Sequence, residues 1–295
     1  MNDLITMPKP DIDSIFDSLD VGENTRHEYR LRIIPFLAFV QTEGLSLNIL
    51  LDYKRLLAKR EDYVISTKNK NLVVAKVFLR ECHRLGLIER DITSNVKCFK
   101  QDKRHKVDGL NDEEVSLISQ WVKDNPHKLR ERAMLCLLLL NGLRQFEVCN
   151  IKLKDLDLKA GRLSVIGKGR DDYERIHLHP NTTRALRRYC RTVKLQSDDY
   201  LFTSKRRQSK NRKLTTRGLQ LIIKGIFLEL EIDRTVHGCR HYFVTRLIKT
   251  MPGNLTIIAK FSRHESLEML KIYDDSLLME QSLEQYRKAF NDLKI

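Results

Sequence analysis

The sequence has no CxxC pair. Its six cysteines, Cys82, Cys98, Cys136, Cys149, Cys190 and Cys239, are dispersed along the chain, and the expectation is reduced, mostly buried thiols in a cytoplasmic protein. No secretory leader is expected either, because "MNDLITMPKPDIDS" puts acids and prolines where an apolar core is needed. The longest purely apolar run, "AMLCLLLL" at 133–140, is too short to span a bilayer. There are no internal repeats. Acidic residues are also in deficit. Against 54 Lys and Arg there are 39 Asp and Glu, which leaves +15 on 295 residues and a pI near 9.6. This points to a polyanionic partner, with nucleic acid first and an anionic membrane surface second. The 41% hydrophobic content supports a real core and excludes wholesale disorder.

What is present divides into two halves. "NTRHEYRLRIIPFLAFVQTEG" reads as a helix capped by Asn24 or Thr25 and stopped at Gly44, with Tyr29, Ile33, Phe36, Leu37 and Val40 on one face. "SLNILLDYKRLLAKR" opens a second at Ser46. "STKNKNLVVAKVFLRECHRLG" is a third, with Val74, Val77, Phe78, Cys82 and Leu85 at helical spacing, and "IDSIFDSLD" adds a short one. Residues 8–96 therefore read as a helical bundle with Lys and Arg outside. Residues 97–107, within "KCFKQDKRHKVDG", are polar and basic without a periodic apolar face, and read as a linker. Residues 108–295 form the second domain.

That domain opens with a capping box at Asn111 and Glu114, followed by Val115, Leu117, Ile118 and Val122 on a helix face. "LRERAMLCLLLLNGLR" is a buried helix ending near Gly142. The period then changes. "RLSVIGKGRDDYERIHLHP" reads as two short strands around a turn. "NTTRALRRYCRTVK" places Arg184, Arg187, Arg188 and Arg191 on one helix face. The stretch at 203–217 has seven basic residues, among them Lys205, Arg206, Arg207, Lys210, Arg212 and Lys213, and no acid. The fold class is mainly α with a small β-hairpin or sheet in the C-terminal domain.

Five polar residues and a tyrosine carry the chemistry. Arg144 follows the buried helix, a half-buried place from which a guanidinium can grip phosphate oxygens bidentately with Glu147, three residues on, holding it; the alternative is a purely structural Arg–Glu pair. Lys168 lies between two glycines at the hairpin tip, in reach of a leaving oxygen. "HGCRH" gives His237 and Arg240, three apart at a helix start. His264 and Tyr273 complete the set, a tyrosine nucleophile needing its proton removed and its attack oriented. A metal site is not expected, because neither these residues nor His177 and His179, which share a strand face, have further ligands at metal-binding spacing.

The order Arg, Lys, His-x-x-Arg, His, Tyr resembles the tyrosine recombinase (phage integrase) family, and most closely its two-domain Xer-like members. "NGLRQFEV" resembles the family's first arginine motif, "IGKGRDDYERIHL" its hairpin lysine, "HGCRH" its His-x-x-Arg box, and "RHESLEMLKIY" its final box, with histidine and tyrosine nine apart. The resemblance implies a core-binding bundle plus a catalytic domain that clamp double-stranded DNA at a specific recombination site. Tyr273 is then the nucleophile of a 3′-phosphotyrosyl intermediate, with no metal, cofactor or ATP. It further implies a homotetramer on two sites, with accessory proteins as possible partners, and no membrane. The apolar stripe of Met279, Leu283, Tyr286, Phe290 and Leu293 suits a C-terminal helix exchanged between protomers, or one packed on its own domain. A type IB topoisomerase-like enzyme and a non-catalytic DNA-binding accessory protein are the alternatives. The chain departs from the family pattern at Arg263, where glycine is usual, at Gly238-Cys239, and in the longer "KTMPGNLTII" connection. These departures lean the expected role towards a mobile element or phage. Arg263 is expected either to alter the local turn or to add a phosphate contact, and in the second reading it joins the basic residues expected to contact DNA.

Overall fold

A computed structural model of the chain describes residues 12–101, 109–167, 172–204, 213–268, 270, 271 and 287. The contacts divide the chain into two compact units, Met1–Lys103 and Arg104–Ile295.

Among the described residues, the first unit holds four helices: α1 (Ile12–Asp17), α2 (Glu23–Glu43), α3 (Ile49–Lys59) and α4 (Ile65–Arg84). Their apolar faces converge on aromatic packing. Phe36 lies 5.0 Å from Tyr53 and 6.5 Å from Phe78, and Phe16 lies 5.8 Å from Phe78. Ile15 and Phe16 let even the short α1 dock, because both are fully buried and each buried side chain of this size contributes about 1.5–3 kcal/mol. Three local expectations are corrected. Helix α2 begins one residue earlier than the proposed caps, after Gly22 and with no side-chain cap. Helix α3 begins at Ile49 behind Asn48 rather than at Ser46. Leu85, expected on the buried face of α4, is exposed at its C-terminal cap. The last described residues of this unit lie in the stretch read as linker. There the backbone of Phe99 exchanges two hydrogen bonds with the Asn69 side chain of α4, and Lys54 lies over the Phe99 ring.

The second unit opens on α5 (Asp112–Asp124), which carries the expected capping box. Glu114 N–H donates to Asn111 Oδ1 at 2.7 Å, and Asn111 N–H to Glu114 Oε2 at 2.8 Å. The acids of this first turn also orient the helix that brings the arginine of the His-x-x-Arg box. Asp112 accepts from Tyr242 and Arg246, and Glu114 from Arg234. Leu117, expected on the buried face, is exposed. Helix α6 (Leu129–Leu140) is apolar on nearly every side and accordingly lies in the core. It packs against α8 (Pro180–Cys190), α10 (His237–Thr250), the short α7 (Gln145–Asn150) and α9 (Thr216–Glu229).

The sheet has three antiparallel strands, β1 (Leu156–Asp157), β2 (Arg162–Ile166) and β3 (Tyr173–His177). The hairpin of β2 and β3 was expected. The two-residue β1, paired through Leu156 and Leu163, is too short to show a period. His179 does not share a strand with His177: it caps α8, its Nδ1 accepting from Asn181 N–H. The last helix described in full, α11 (Leu255–Ser262), packs on α10 through Val244, Ile248 and Ile258.

The turn after α6 is tight. Gly142 has φ +57°, and a Cβ there would meet the Phe243 ring at 2.2 Å. Gly253 has φ +76° but open space around its Cα. Gly253→Ala is therefore expected to cost about 1 kcal/mol from backbone strain alone, and Gly142→Ala at least about twice that, because the ring must also move. Chemical denaturation of the two variants side by side measures the difference.

Candidate active site

The turn at Gly142 ends α6 and hands the chain to Arg144, which caps α7. The Glu147 carboxylate folds back on this cap. Its Oε2 accepts the Arg144 backbone N–H at 2.8 Å, and its Oε1 accepts Arg144 Nη1 at 2.9 Å. Glu147 is 2% exposed. Burial pushes its carboxyl upwards, but Arg263 and the hydrogen bonds from Arg144 outweigh this and hold it below the usual carboxylate range.

Arg240 reaches the same turn from α10. It is 4% exposed. Its Nη1 donates to the Gly142 carbonyl at 2.6 Å, and its Nη2 donates to the Ser262 carbonyl at the end of α11. Arg144 Nη2 donates to the next carbonyl, that of Arg263, at 2.9 Å. Both arginines are thus fastened to the turn that presents His264.

Burial pushes the His264 imidazole down. Arg240, Arg144, Arg263 and His237 push it further, to about 4, so it is neutral at pH 7. Its Nδ1 lies 2.7 Å from Ser262 Oγ, which is also 2.6 Å from the Ile258 carbonyl. The single hydroxyl proton serves one of them at a time. When it goes to Nδ1, the ring proton is on Nε2 and can be donated to an anion. His237 is exposed at the first position of α10, edge-on to the buried His241 at 4.8 Å between ring centroids. The structure therefore brings together Arg144, Glu147, Arg240, His264 and, through its field on His264, His237. Lys168 and Tyr273 lie outside the described residues, as does the stripe from Met279 to Leu293.

Of the residues expected to contact DNA, Arg184, Arg187, Arg188 and Arg191 are exposed along and just beyond α8. Arg187 also donates to the Leu158 carbonyl and Arg184 to Asn181. Lys213 is half-buried, bonded to Asn150 and lying over the rings of Phe146 and Tyr200. Lys205, Arg206, Arg207, Lys210 and Arg212 are outside the described residues. Arg263 departs from the expectation. It is 8% exposed, and its guanidinium faces inward to Glu147 and Gly142. Sequence reasoning missed this inward turn, the part of Ser262 and the sharing of the Gly142 carbonyl. The one signal for Ser262 was a hydroxyl in the otherwise apolar end of "LTIIAKFS".

Two guanidiniums bonded to the turn that presents a neutral imidazole are a set able to receive a phosphate, and they stand on a helical domain with a small antiparallel sheet. Residues 109–278 match the model of the phage integrase family. The chain belongs to that family, the tyrosine recombinases, which cleave and rejoin DNA. It is 30% identical over 251 residues to tyrosine recombinase XerD of Listeria innocua, covering 82% of this chain and 76% of that protein. It is 25% identical over 280 residues to tyrosine recombinase XerC of Leptospira interrogans, covering 91% and 88%. Among solved structures, the fold is similar to XerH site-specific recombinase bound to a palindromic difH substrate (TM-score 0.72, 20% identity, 88% of this chain and 80% of that one). It is also similar to the Tn1549 transposon integrase in complex with circular intermediate DNA (TM-score 0.68, 18% identity, 89% and 94%). Among the described residues, no helix is long and apolar enough to cross a membrane.

The state of His264 has a consequence in the absence of DNA. The unfolded chain takes up this proton near pH 6.5, the folded chain only near 4. Between those values the unfolded state binds more protons, so stability falls as pH is lowered from about 6.5 towards 4. His264→Asn is expected to flatten this part of a melting-temperature profile between pH 7 and 4.

Proposed function

We propose that this chain is a site-specific recombinase in which Tyr273 attacks a scissile DNA phosphate. The tyrosine oxygen bonds to phosphorus, the bond to the 5′ oxygen breaks, and the strand end remains as a 3′-phosphotyrosyl ester. Lys168 supplies the proton that the departing 5′ oxygen takes up, and His237 receives the proton of Tyr273. Arg144, Arg240 and the Nε2–H tautomer of His264 hold the non-bridging oxygens while charge builds on them. Attack by the 5′ hydroxyl of a partner strand reverses the step and regenerates the tyrosine, so phosphodiester energy is conserved. The observation that carries this reading is the fastening of both arginines to the turn bearing His264, which fixes three phosphate-binding groups before any ligand arrives.

The exposed arginines of α8 support a phosphate-backbone contact, which makes binding salt-dependent. The lean to a mobile element, the tetramer joined by exchanged C-terminal helices, possible accessory proteins and the cytoplasmic location belong to the same proposal. Their support is the Xer and transposon-integrase likeness together with the departures at 238–239 and 263. No observation favours a topoisomerase or an inactive accessory protein.

The test is covalent capture. Nicked duplexes from a random library are incubated with the protein, and the trapped species are resolved on a denaturing gel. A protein–DNA adduct is expected for the natural chain and is lost in Tyr273→Phe; an adduct that survives this substitution overturns the assignment. Arg144→Ala is expected to slow adduct formation by about 100-fold or more, the loss typical of one preorganised donor.

A further inference from the structure

Arg263 is the residue whose placement the proposed chemistry does not use. It follows α11 with φ 55° and ψ 47°, the left-handed region that a non-glycine side chain adopts at a cost. Its guanidinium is also expensive to bury, being 4% exposed, and its Nε has no hydrogen-bond partner among the described residues. A strained backbone and a buried charge persist at one position only where the surroundings over-determine them.

Those surroundings form a closed ring. Arg263 Nη2 donates to Glu147 Oε2 at 2.9 Å. Glu147 Oε1 receives Arg144 Nη1 at 2.9 Å. Arg144 Nη2 donates back to the Arg263 carbonyl at 2.9 Å. Arg263 Nη2 also approaches the Gly142 carbonyl at 3.3 Å, the acceptor used by Arg240. A direct grip on DNA does not fit a guanidinium so buried and so engaged. We infer that Arg263 is a positioning residue, which orients Arg144 through both its own carbonyl and Glu147 and locks the His264 turn onto the arginine turn. It replaces by a side-chain brace what glycine leaves to the backbone alone.

The inference rests on the proposed role of Arg144 and His264, and the test separates the two. Three proteins are compared: the natural chain, Arg263→Gly, which suits the left-handed backbone, and Arg263→Lys, which keeps the charge but not the fork. DNA affinity is expected to stay within about two-fold in both variants. The adduct-forming rate at saturating DNA is expected to fall by about 10- to 100-fold in both, as for a misplaced catalytic group. Histidine NMR supplies a readout that needs no DNA. Burial is the largest cause of the low His264 titration, and Arg240, Arg144, Arg263 and His237 add to it, so the titration moves part of the way up in Arg263→Gly and stays low in Arg263→Lys. Wild-type cleavage by Arg263→Gly overturns the inference. So does an affinity loss with an unchanged saturated rate, which would make Arg263 a DNA contact. If the natural chain forms no adduct, the proposed function fails, and an unmoved His264 titration in Arg263→Gly then overturns the positioning role on its own.

Discussion

The second unit depends on one buried carboxylate. Glu147 has no exposed side-chain surface, and a charge taken out of water without partners costs several kcal/mol. It is tolerable because a backbone N–H and two guanidiniums meet its two oxygens. The same bonds decide where α7 begins, which way Arg144 points and how the chain leaves α11. The requirement to satisfy an anion thus specifies the position of cations 119 residues apart in sequence. Arg144 and Arg263 hold this single carboxylate, and Arg240 is fastened to the same turns, which leaves a local excess of positive charge. Burial and the same excess hold the imidazole's titration down to about 4, so at pH 7 His264 adds a hydrogen-bond donor without a further charge to repel its neighbours.

Much of this was legible in the chain itself, because the informative features are local. The capping box at Asn111 and Glu114, the all-apolar helix before Gly142, and the period change into the β2–β3 hairpin each follow from residues within a few positions of one another. The arginine and histidine boxes were readable for the same reason, each keeping its spacing on one element. Contacts that join distant segments were not readable. Nothing near Arg263 announces that its guanidinium turns inward to a carboxylate in α7, and a basic residue beside a DNA-binding motif reads naturally as another phosphate contact. Leu85 and Leu117 show the converse, since helical spacing assigns a face but not the neighbour that covers it. The two-residue β1 exists only because β2 offers it a partner.

The Gly142 carbonyl, shared by Arg240 and Arg263, has a consequence for timing. The arginine–histidine frame is assembled when the protein folds, and its ordering entropy is settled before any ligand arrives. A frame already in place cannot itself act as a switch. Control of timing in the proposed recombination therefore falls to groups outside this arginine–histidine frame, and the frame itself is free to be rigid.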